Sequence, residues 1–211
     1  MGKDDWYQYV QRVSSLLEHV SFHGADGENI EVLEGFDIWR DKTLQVRLSK
    51  GTIYLIGNGA SAAMASHTAA DLAKNAHIHT QVFTDVALMT AISNDIGYEA
   101  VFSEPLRRMA SPGDMLVAVS SSGRSANLMS ATALAGDMGM TVVTLTAADA
   151  NNPLRAQGQL NVYVPARTYG EAETCHAALL HHWMDLVDLE HYTFPINMMP
   201  ESASNVSSED Q

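Results

Sequence analysis

The sequence predicts an α/β fold built on a parallel sheet, and three observations carry that prediction. From Thr52 onward, short apolar runs alternate with stretches of helical spacing, the pattern of successive βαβ units. Two of the runs, Ile53-Tyr-Leu-Ile56 and Met115-Leu-Val-Ala-Val119, are continuously apolar, as strands buried on both faces of a parallel sheet are. Each breaks into a loop of small residues, Gly57-Asn-Gly-Ala-Ser61 and Ser120-Ser-Ser-Gly-Arg-Ser125. The 211 residues, 46% of them hydrophobic, suffice for one such domain with a sizeable core.

Taken in order, Trp6, Val10, Val13, Leu17 and Val20 recur at helical spacing, and an amphipathic N-terminal helix follows. Gly24-Ala-Asp-Gly27 is a break, and 30–48 reads as a second helix ended by Lys50-Gly51. The first strand, Ile53–Ile56, leads through the glycine loop into a helix running to about Asn75. Gln81-Val-Phe-Thr84 is a weak second strand, followed by helical segments at 86–92 and 100–109, the latter with Pro105 in a first turn or a kink. Met115–Val119 is the third strand, with a helix from about Ser125 to Gly139; Thr141–Leu145 and Leu160–Val164 are the fourth and fifth. A long helix runs from Glu171 to about His191, and 201–211 has the polar, Ser-rich and acidic composition of a disordered tail. The expected organisation is a helical segment over 1–50, one domain over 51–195 and a tail over 196–211.

Composition narrows the function. The 12 basic and 25 acidic side chains give a net charge of −13, which argues against nucleic acid bound on a basic face. No apolar run is long enough to cross a bilayer, and Met1-Gly-Lys-Asp-Asp lacks the blocks of a signal peptide, so a cytoplasmic location without a membrane is expected. The single cysteine, Cys175, fits a reducing compartment.

Both small-residue loops follow strands of the same sheet, so both can face one cleft at the strands' carboxyl ends. In the second, Ser120, Ser121, Ser122 and Ser125 add hydroxyl donors to backbone N–H groups at a helix start, which makes a phosphate cradle; an ordinary serine-capped helix is the alternative. There is no Walker lysine and no complete GxGxxG. His67 and Asp71 lie four residues apart on one helix face, and Glu173 and His181 lie roughly along one side of the last helix. Such a set suits acid/base chemistry, a divalent metal such as zinc, or a plain solvated face. His77 and His79 alternate as on a strand and read as solvated or interface residues, and Asn94-Asp95 as a cap or turn.

Together these motifs resemble the sugar isomerase (SIS) domain family and, within it, the phosphoheptose isomerases. The resemblance spans 51–189 and rests on Gly57-Asn-Gly-Ala-Ser-Ala-Ala63, His67 with an acid four residues on, Ser93-Asn-Asp95 with Gly97-Tyr98 and Val101-Phe102, Pro112-Gly-Asp114, Ser120–Ser125, and Gly139-Met-Thr141. It implies a flavodoxin-like α/β/α domain with a five-stranded parallel sheet, a homotetramer with active sites at subunit interfaces, and isomerisation of sedoheptulose 7-phosphate through an enediol. It implies that Ser120, Ser121, Ser122 and Ser125 hold the phosphate, and that Asn58, Gly59, Ala60, Asn94, Asp95 and Glu173 surround the sugar. His67, Asp71, Glu173 and His181 are the implied metal and acid/base quartet, with Asp71 as base and His181 as its partner. The chain departs from the family where Asp71 replaces the usual Glu, Glu173 the usual Gln, Gly170-Glu171 an Asp-Arg pair and Asn75 an arginine. An added carboxylate at Glu173 makes the ligand set harder and more negative. The competing readings are an isomerase of another sugar phosphate and a non-catalytic SIS module of the kind that associates with the bacterial replication initiator.

Overall fold

A computed structural model describes residues 5–188 of the chain. The tail expected over 196–211 and the end of the last helix expected near His191 lie outside the described residues. Seven strands form one sheet in the order β2-β1-β7-β6-β5-β3-β4. They are β1 (Ser21–Gly24), β2 (Asn29–Ile30), β3 (Thr52–Gly57), β4 (His79–Gln81), β5 (Met115–Ser120), β6 (Thr141–Ala147) and β7 (Leu160–Val164). The five strands from β7 to β4 run parallel, as expected. The sheet is larger than the expected five because β1 joins the edge of β7 antiparallel and pairs with β2 around the Gly24–Gly27 turn. At four and two residues, these strands are too short to carry a period.

The second parallel strand also sits earlier than 81–84. His79 and Thr80 pair with Thr52 and Ile53, while the Thr80 hydroxyl donates to the Ala69 carbonyl at 2.8 Å. The apolar pair that suggested a strand is used for packing instead: Phe83 is buried and stacks on Tyr54 with ring centroids 5.8 Å apart.

The helices are α1 (Trp6–Glu18), α2 (Val32–Leu48), α3 (Ala60–Asn75), α4 (Val86–Asp95), α5 (Ser103–Met109), α6 (Ala126–Asp137) and α7 (Tyr169–Val187). Helices α2, α3 and α7 close one face of the sheet over a core of Leu55, Val117, Leu145 and Val162. The opposite core, with Ile56, Leu116, Leu128 and Val142, lies under α4, α5 and α6. On the first face Trp39 and Trp183 are fully buried and stacked 4.4 Å apart, with Trp183 Nε1 donating to Thr43 Oγ1 at 2.9 Å. Phe22 of β1 fits against Gly35 of α2, where a Cβ would meet its ring at 2.4 Å.

One buried carboxylate fixes the frame below the loops. Asp114 accepts from the Thr52 and Ser111 amides, both at 2.8 Å, and so ties the amino ends of β3 and β5 together. The Pro112-Gly-Asp114 motif therefore serves the sheet rather than the chemistry.

Candidate active site

The serine loop leaves the carboxyl end of β5 in a shape set by its neighbours. Ser120 and Ser121 are buried, and Ser120 Oγ accepts from the Gly123 amide at 3.0 Å. Gly123 has φ +61, and a Cβ there would lie 1.9 Å from Asn152 Oδ1. Asn152 in turn caps the 3-10 turn Pro153–Ala156 by accepting from Arg155 N at 3.0 Å, while the Leu154 amide donates back to the Gly123 carbonyl at 3.1 Å. Arg124 bridges to Asp149 at 2.5 Å. Ser125 occupies the N-cap of α6, yet its side chain makes no capping bond, so its hydroxyl is not spent on the helix.

These serines, with Asn58, Ser61, Tyr169 and Glu173, line a cleft of about 190 Å³. Its donors are hydroxyls and backbone amides at a helix start, a set that binds a phosphate group without a basic side chain. Asn58 and Asn127 exchange amide hydrogen bonds of 3.0 and 2.9 Å, and the Tyr98 hydroxyl donates to Asn58 Oδ1 at 3.1 Å. This network locks the glycine loop to α6. Sequence reasoning has Ser61 and Tyr98 only as parts of quoted motifs, with no role at the site, and misses Asn127 and Tyr169, since nothing in their spacing separates them from ordinary helix and turn residues.

A second recess of about 210 Å³ lies between α3 and α7, lined by Ala63, Met64, His67, Thr68, Ala177, Leu180 and His181. Here His67 Nε2 is 3.2 Å from Asp71 Oδ2, and the His67 and His181 rings are 5.2 Å apart. One ligand atom from each of the three residues falls within 4.8 Å of the others. Two imidazoles and a carboxylate are the donor set of many catalytic zinc sites, and three protein ligands leave a position open for substrate.

The predicted residues thus separate. Glu173 lines the serine cleft and is not part of the three-residue cluster. It precedes His181 by eight residues, roughly 12 Å along the helix. Gly59 and Ala60 form the exposed start of α3. Asn94 and Asp95 are exposed at the end of α4 and bonded to each other at 2.8 Å, with Asp95 lining a different, largely apolar groove. Within one protomer the structure does not bring those two to the serine cleft. Glu171 is buried; its carboxylate accepts from Arg12 Nε at 3.1 Å and from the Arg167 amide at 3.0 Å. Burial pushes its pKa up, but the Arg167 and Arg12 bonds outweigh that and leave it lowered.

Residues 39–147 match the family model described as the SIS domain. A phosphoheptose isomerase of Chromohalobacter salexigens is 32% identical over 167 residues, covering 75% of this chain and 85% of that one. The chain belongs to the SIS domain family. Another phosphoheptose isomerase, from Maridesulfovibrio salexigens, is 34% identical over 85% of this chain and 92% of its own length. The SIS fold seen here also resembles the solved phosphoheptose isomerase of Neisseria gonorrhoeae, with a TM-score of 0.74 and 29% identity over 86% of this chain and 95% of that one.

Proposed function

We propose that this SIS protein interconverts sedoheptulose 7-phosphate and D-glycero-D-manno-heptose 7-phosphate, an aldose–ketose isomerisation through an enediol. The observation that carries the reading is the shared use of two helices. Helix α3 sends Ser61 to the serine cleft and His67 to the second recess, with Asp71 beside His67 in the cluster; α7 sends Glu173 to the first and His181 to the second. From Ser61 to His67 is roughly 9 Å along α3. A phosphate anchor set apart from an acid/base cluster suits a sugar whose reacting carbons, C1 and C2, lie at the far end of the chain from its phosphate. The relatives above, named for this activity, support the same assignment.

In this reading Ser120, Ser121, Ser122 and Ser125 bind the phosphate through neutral donors, which a chain of net charge −13 requires locally. Asn58 and Glu173 face the sugar hydroxyls. Asp71 takes a proton from C1 and returns one to C2, while His181 moves the hydroxyl proton between O2 and O1. His67, Asp71 and His181 would hold a divalent cation, zinc by their donor types, and a cation there would polarise the carbonyl oxygen as a Lewis acid. The reading includes a cytoplasmic homotetramer. His67 and His181 are exposed in the protomer, and a second copy seated over the cluster would also give Gly59, Ala60, Asn94 and Asp95 a sugar to contact.

A coupled assay with sedoheptulose 7-phosphate and other ketose phosphates, after chelation and with zinc restored, tests this on wild type and Asp71→Ala. Turnover should be greatest with the seven-carbon substrate, and Asp71→Ala should lower kcat by a factor of about 100 or more. Unchanged turnover in Asp71→Ala refutes its role. Failure of wild type to turn over any sugar phosphate refutes the isomerase reading and leaves a binding module.

A further inference from the structure

His176 is a fully buried titratable group with no part in the chemistry above. It lies on α7 three residues after Glu173 and therefore on the same side of that helix. Its Nε2 is 3.2 Å from the Thr146 carbonyl oxygen. A carbonyl can only accept, so Nε2 carries the hydrogen and Nδ1 is a bare acceptor, which has no partner among the described residues. Burial pushes the imidazole down to about 4 against a smaller upward pull from Thr146, so the ring is neutral and directs its one N–H to backbone. The carbonyl it reaches belongs to the strand beside the one that carries the serine loop. Thr146 of β6 is the direct neighbour of Ser120 in the β5–β6 register. The bond therefore runs from the sheet position beside the first cradle serine to the helix that brings Tyr169 and Glu173 into the cleft. The Arg12–Glu171 and Trp183–Thr43 bonds also hold α7, but they fasten it to α1 and α2 rather than to the sheet.

We propose that His176 is a positioning residue: its Nε2–H bond to Thr146 sets the gap between the serine loop and the Glu173 wall of α7, and so fixes how the sugar end of a bound sugar phosphate is held. The inference rests on the sugar-phosphate reading of the cleft. It separates two ligands that the same cleft would take. Inorganic phosphate needs only the serine loop, which is not carried by α7, whereas a sugar phosphate also needs the α7 wall at its proper distance.

The test uses the full chain and three substitutions. His176→Phe keeps a buried flat ring without the donor, His176→Gln keeps an N–H at similar reach, and His176→Asn has an amide too short to reach Thr146. Calorimetric binding of sedoheptulose 7-phosphate and of inorganic phosphate is measured alongside turnover and thermal unfolding. His176→Phe should weaken sedoheptulose 7-phosphate binding about tenfold and lower kcat/KM by up to about 100-fold, because small misplacements at a site are costly. Inorganic phosphate binding should stay within about twofold by the same geometric argument. His176→Gln should restore most of both losses. If His176→Phe does not fold, the comparison of His176→Asn with His176→Gln decides, with Asn expected to show the sugar-phosphate loss and Gln not. Equal binding of sedoheptulose 7-phosphate by wild type and a folded donor-less variant overturns the proposal, as does an equal loss for both ligands. Wild type that binds neither ligand refutes the sugar-phosphate reading itself, and this inference with it.

Discussion

Replacing Gly123 with alanine tests whether the serine loop is held in a shape that only glycine permits. At φ +61, an L residue costs about 1–2 kcal/mol in backbone strain alone. The new Cβ would lie 1.9 Å from Asn152 Oδ1, 2.3 Å from its Cγ and 2.8 Å from its Cβ, so rotating the amide does not clear the clash. Asn152 must withdraw and give up its bonds to Arg155 N at 3.0 Å and the Asp149 carbonyl at 2.7 Å. At about 1 kcal/mol net for each bond, the total comes to about 3–4 kcal/mol. Gly113→Ala is the control, because its φ is +90 but no atom of the described residues lies within 4 Å of the added carbon. Urea denaturation of both variants should therefore show Gly123→Ala less stable than Gly113→Ala by about 2 kcal/mol. Inorganic phosphate should bind more weakly only to Gly123→Ala. A stability difference below about 0.5 kcal/mol, the usual spread of surface substitutions, refutes the claim that Asn152 shapes the loop.

Acid should destabilise the protein through His176. Its folded pKa of about 4 lies below the ordinary 6.5, so the unfolded chain takes up a proton that the folded chain refuses, and stability present above pH 6.5 is lost as the pH falls towards 4. The loss is at most on the order of 3 kcal/mol, and His176→Phe should flatten the fall in melting temperature over that window; an unchanged slope assigns it elsewhere. Glu171 acts at lower pH: its lowered pKa contributes stability above the carboxylate range that disappears as the pH falls through its folded value. Asp114→Ala leaves the Thr52 and Ser111 amides without their acceptor and should cost about 2–4 kcal/mol by urea denaturation. The KM of the folded fraction should stay unchanged, and a raised KM would show that the amino ends of β3 and β5 reach the site.

The parallel strands were readable because burial on both faces leaves a continuous apolar run, as in Met115–Val119. The edge hairpin was not, because β1 and β2 draw their pairing from β7 rather than from any pattern of their own. Val82-Phe83 misled for a related reason: aromatic and branched residues that favour strands also fill space beneath one. At the site, His67 and Asp71 were readable from helical spacing, which fixes neighbours on one helix. Spacing also put Glu173 and His181 on one side of the last helix, but that His181 and not Glu173 joins His67 and Asp71 depends on how α7 packs against α3, which no spacing contains. The parting of Glu173 from His181 is a matter of helical rise: residues that share a side of a helix can still open onto different recesses.

The Asp114 bridge has a consequence for how such a protein can change over generations. It joins β3 and β5 at the ends opposite their loops, so the spacing between the two loop roots depends on the sheet and on a carboxylate far from any ligand. Residues of the loops, or of the helices that follow them, as at Asp71 on α3, can then be exchanged without disturbing the spacing on which both loops depend. A lineage with this bridge is free to drift in what it recognises while keeping the same scaffold underneath.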